Sequence, residues 1–85
     1  MGVAEDLADA LARDVLAAMD EMDEDRFFLE IGKMLASLSP LMEENFMTAM
    51  RVRLAERRGR EMLERKLAAF RAIKATSKAT SKADG

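Results

Sequence analysis

A single proline, Pro40, punctuates a chain of 85 residues built largely from Ala, Leu, Met, Glu, Arg and Lys. These residues are strong helix formers, and no stretch shows the apolar–polar alternation of a half-buried strand. The chain is therefore expected to be all-α. Two short helices pack on the first half of a long third helix, whose second half projects as a basic arm and ends in a flexible tail. The corresponding segments are an acidic helical head over residues 1–56, a basic amphipathic arm over 57–75 and a low-complexity basic tail over 76–85.

Apolar spacing locates the helices. Val3, Leu7, Leu11, Val15, Met19 and Met22 recur at steps of four and three, which predicts one helix from about Val3 to Asp20 with these residues on its buried face. Asp23 is expected to cap a second helix, with Glu24 and Asp25 in its first turn. Phe27, Ile31, Met34, Leu35 and Leu38 form that helix's apolar face. Gly32 lies inside it at a cost of about 1 kcal/mol relative to Ala, which a close helix crossing would explain. Ser39-Pro40 is the clearest boundary, a favoured N-cap followed by a favoured first helical residue. From Pro40 the helical pattern runs to about Ala75. Beyond it, residues 74–82 repeat Lys-Ala-Thr-Ser without a large apolar side chain, the composition of a frayed helix end or a disordered tail.

The third helix carries two apolar faces. At about 100° per residue, Phe46, Met47, Met50 and Leu54 share one, and Leu63, Leu67 and Phe70 share another, with Met62 and Ile73 at its edge. Between them, residues 55–61 are polar nearly all round. Either the chain bends near Gly59 so that both faces join one core, or a straight helix turns its second face to another chain. The straight helix is favoured, because a lone Gly rarely ends a helix between Arg and Glu.

Charge is segregated along the chain. Residues 1–50 hold three basic and twelve acidic side chains, a net of −9, and residues 51–85 hold eleven basic and four acidic, a net of +7. Such asymmetry concerns partners and steering rather than fold. The basic residues of the third helix could contact phosphates of a nucleic acid. They point in several directions, however, and the chain has no Tyr or Trp to stack on bases. Residues 62–74 are basic and amphipathic, as in helices that lie on anionic membranes or enter a partner's groove. A protein partner is favoured over a membrane.

Several chemistries have no residues to carry them. The chain has no Cys and no His, which excludes disulfides and thiolate sites and removes the commonest general base and transition-metal ligand. The acidic run Asp20–Asp25 lacks the glycine of a calcium loop and is followed by Phe27 and Phe28. No glycine-rich phosphate loop or nucleophile motif is present. No catalytic residue, cofactor, metal or small-molecule substrate is expected. Seven internal methionines suit core filling or adaptable contacts, and Met42, Met47 and Met50 beside Phe46 are the place to look for an adaptable contact. The acidic start is the wrong sign for a secretory leader, and no window is apolar enough to span a bilayer, so a cytoplasmic setting is expected.

These features point to a non-catalytic interaction or assembly module, a homo-oligomer or an accessory subunit of a larger complex. Leu63, Leu67, Phe70 and Ile73 would make the apolar contact, and Arg57, Arg58, Arg60, Arg65 and Arg71 the charged one. The alternative is a nucleic-acid-associated protein that grips phosphates with its basic arm and tail.

Overall fold

Ala8 and Ala12, the two smallest side chains on the inner side of the first helix, are fully buried in the core that it shares with the third. The computed structural model describes residues 2–84, with side chains described for residues 2–78. Among the described residues there are three helices and no strand: α1 (Val3–Met22), α2 (Phe27–Leu38) and α3 (Pro40–Asp84). The chain divides after Ala55 into two units. In the first unit, α1 and α2 pack on the beginning of α3 around one core, the arrangement that the apolar spacing predicts.

The buried face of α1 is Ala8, Ala12, Val15, Leu16 and Met19. The expected face overlaps it only in part: Val15 and Met19 are buried, but Val3 and Leu7 are 75% and 58% exposed, and Met22 is exposed as well. At about 100° per residue, the helix is turned by roughly 80° from the face that its larger side chains would choose. The cause lies across the interface. Phe46 and Met50 of α3 are fully buried against this face, and alanines leave room for them where leucines would not.

Asp23 is a second departure from expectation. It does not cap α2; it ends α1 in the left-handed conformation, with φ 55° and ψ 44°. Its N–H donates to the Asp20 carbonyl at 3.4 Å, and the Glu24 N–H donates to the Met19 carbonyl at 3.0 Å. This pair of bonds is a Schellman ending, which satisfies two carbonyls that α1 would otherwise leave open. Asp tolerates this backbone better than most residues, but at a cost that Gly does not incur. Asp23→Gly is expected to stabilise the protein by about 0.5–1 kcal/mol, and Asp23→Val to destabilise it by more than that. Thermal melting of the two variants checks the sign. α2 then begins at Phe27 with no side-chain cap.

Ser39-Pro40 is the boundary that its chemistry predicts. The Ser39 N–H donates to the Leu35 carbonyl at 2.7 Å and closes α2, while its Oγ accepts the Met42 N–H at 3.2 Å and opens α3. The backbone of α3 stays helical through Gly59 and past Ala75, the expected end, as far as Asp84. Of the expected flexible tail, the side chains of residues 79–85 lie outside the described residues.

On α3, Phe46 and Met50 are buried, and Met47, Leu54 and Met42 pack half-buried around them. Met42, Met47 and Met50 thus take the core-filling role, the commoner of the two that their side chains suit. α2 contributes Gly32 and, half-buried, Phe27, Phe28, Ile31 and Leu35 to the same core; of its expected inner face only Met34 and Leu38 stand outside, at 63% and 75% exposed. A Cβ at Gly32 would stand 2.9 Å from Met47 Sδ, whereas one at Gly59 would meet nothing within 4 Å. Gly59→Ala is thus expected to add about 1 kcal/mol of helix stability. Gly32→Ala gains less, because Met47 must give way. Circular dichroism melts of the pair test this; an equal gain at both sites would show that Met47 moves at no cost.

Within the first unit, a polar contact joins α1 to α3. Arg53 donates from Nε and Nη2 to the two carboxylate oxygens of Asp9, at 3.1 and 3.0 Å. The fork geometry is favourable, but both side chains are partly solvated, so the pair contributes only about 0–1 kcal/mol. No helix among the described residues is long and apolar enough to cross a membrane.

Candidate functional site

In the second unit, from Glu56 onward, helix is formed without a buried side. Among the described side chains of this unit only Arg57 is half-buried, and every other one is exposed. Most helices in proteins owe their stability to an apolar face packed against something. Here the apolar face exists and faces solvent.

Leu63, Leu67 and Phe70 fall within an arc of roughly 60° on this helix, and Ile73 and Met62 extend the arc to one side. Leu67 is the least exposed at 38%, and Phe70 and Ile73 stand at 60% and 69%. Their spacing of three and four residues makes one continuous stripe. Phe70 and Ile73, together with Lys74, Ser77 and Lys78, line a shallow open hollow on the helix surface. A hollow formed on one helix cannot enclose a small ligand, but it can receive the side chains of a facing helix or sheet.

The basic residues divide by direction. Arg60 and Arg71 flank the stripe on the Leu67 side, while Arg58 and Arg65 lie roughly 110–130° from its centre. Arg57 is half-buried and already partnered. Arg60 is held by Glu56 one turn earlier, with Nε to Oε1 at 2.8 Å, the favourable order for an i, i+4 pair. Of the five arginines expected at the contact, two therefore border it. Lys66 and Lys74, absent from that expectation, stand within it; their signal is the spacing of three from Leu63 and four from Phe70.

The first unit carries the opposite charge. Over residues 1–55 twelve acidic residues meet five basic, a net of −7, and over 56–85 four acidic meet nine basic, a net of +5. The acidic run Asp20–Asp25 forms the end of α1 and the turn into α2. Glu24, Asp25 and Glu30, with Arg26, surround Phe27 and Leu29 at a surface hollow of about 470 Å³. Among the described residues, no group of three or more acidic side chains is arranged to hold a metal ion.

No protein-family model, curated protein or solved structure matches this chain.

Proposed function

We propose that this protein is a non-catalytic helical interaction and assembly module, acting as a homo-oligomer or as an accessory subunit of a larger complex. Its working surface is the stripe of Leu63, Leu67, Phe70 and Ile73. Arg60, Arg71, Lys66 and Lys74 set its orientation on an acidic protein surface, and Arg58 and Arg65 act at longer range by steering the encounter. The observation that carries this reading is an ordered run of helix whose only apolar face is exposed. Contiguous exposed apolar surface bordered by charge is a mark of protein contact sites, and burial of the stripe would supply the stabilisation that this helix otherwise lacks.

The test is solution mass by light scattering coupled to size exclusion, at low and high salt, for the wild type and for Leu67→Gln/Phe70→Gln. The wild type is expected to assemble at both salt concentrations, since apolar burial is little affected by screening. The double variant is expected to run as a monomer. Assembly that survives the double substitution counts against the stripe. Binding to a DNA or RNA duplex that ignores the substitution and collapses with salt would favour the nucleic-acid reading instead.

A further inference from the structure

We propose that the occupant of the stripe is a second copy of this chain, seated on the acidic corner where Glu24, Asp25 and Glu30 surround Phe27 and Leu29. This rests on the reading of the stripe as a docking face and goes on to name what it docks to.

Charge selects between the two surfaces a second copy could offer. Stripe against stripe would set a unit of net +5 against another of +5, and like charges at an interface are a strong discriminator against the wrong partner. Stripe against the first unit sets +5 against −7. The first unit also has a place to receive it. The corner combines apolar floor with carboxylate rim: Phe27 is half-buried, Leu29 is 41% exposed, and Glu24, Asp25 and Glu30 are exposed around them. No ion pair among the described residues engages these three carboxylates. The hollow is open to solvent, so the ring of Phe70 can approach it, and Lys66 and Lys74, standing within the stripe, bring cations to the carboxylate rim. Each copy then offers one stripe and one corner. The two surfaces differ, so contacts either close on themselves or run on from copy to copy.

Reciprocal charge reversal tests the pairing. One variant carries Lys66→Glu, Arg71→Glu and Lys74→Glu; the other carries Glu24→Lys, Asp25→Lys and Glu30→Lys. All six residues are exposed, and a circular dichroism melt checks that each variant folds. Should the lysine variant melt early, Glu24→Gln, Asp25→Asn and Glu30→Gln replaces it, with weakened rather than reversed attraction expected. Each reversed variant alone is expected to lose assembly, its dissociation constant rising by more than about tenfold. Mixed in equal amounts, the two are expected to assemble again, because each stripe then meets a corner of opposite sign.

Three results would overturn the proposal. A wild type that stays monomeric at high concentration is the first. The second is reversal of the corner leaving assembly intact while Leu67→Gln/Phe70→Gln abolishes it; the stripe would then be the working surface with a different occupant, a second stripe included. The third is failure of the mixed variants to recover. Loss of the docking reading itself has a separate signature, assembly that survives Leu67→Gln/Phe70→Gln.

Discussion

Phe46→Ala is expected to remove the cooperative unfolding of the first unit or to lower its midpoint sharply. Phe46 is fully buried at the centre of the core, against α1, and has no polar atom that could compensate for its loss. Truncating a buried Phe costs about 3–5 kcal/mol in transfer energy and residual cavity. A unit of this size buries a small core and has little stability in reserve, so the loss is comparable with the whole. The surroundings offer partial relief, because Met42, Met47 and Met50 are flexible enough to lean into the space. Phe46→Leu, which keeps most of the volume, is expected to cost clearly less. Urea unfolding followed by circular dichroism measures both; equal costs would mean that the methionines fill the cavity whatever its size.

Ala12→Leu carries the second large effect, and its sign runs against hydrophobic patterning. Read along the sequence, a larger apolar residue on α1 looks harmless, and Leu7 looks essential. Ala12 is in fact fully buried and faces the core shared with Phe46 and Met50. Added methylenes there force side chains off their rotamers or push α1 outward, at about 1–3 kcal/mol. Leu7 is 58% exposed, so Leu7→Ala is expected to cost under about 1 kcal/mol, partly offset by the higher helix propensity of Ala. The pair of melts is a direct test of which face of α1 is inward. If Leu7→Ala proved the costlier change, α1 would be turned back to the face that its periodicity suggests.

For the candidate surface, this means that stability and assembly separate cleanly. Phe46 and Ala12 act in the first unit, whereas Leu67 and Phe70 belong to the second. Substitutions at the stripe remove no core contact, so they are expected to leave the melt unchanged at concentrations too low for assembly, and to lower it only where the wild type assembles. The Arg60–Glu56 pair lies on the exposed helix surface and contributes only a few tenths of a kcal/mol to the helix.

Much of the architecture was written in residue chemistry that acts locally. The helix class followed from composition. The α2–α3 junction followed from Ser39-Pro40, where a hydroxyl and a ring act on their own neighbouring backbone and need nothing from the rest of the fold. The inner face of α3 followed from Phe46 and Met50, because the largest side chains there are also the buried ones. The stripe of Leu63, Leu67 and Phe70 was equally legible, as a periodicity that nothing else on the helix contradicts.

What only the tertiary structure decided has a common physical cause: it depends on what lies opposite. α1 turned to its alanine side because Phe46 occupies the space that leucines would need, and periodicity cannot weigh a small residue against a partner it does not contain. Met34 and Leu38 stayed outside because α2 closes on α3 through Gly32, where Met47 takes the place of a missing Cβ. Asp23 suits both an N-cap and a left-handed helix end, and the choice was made by the path the chain takes from α1 to α2. Local chemistry places the helices along the chain; close packing, sensitive to each methylene, decides which side of each one faces inward.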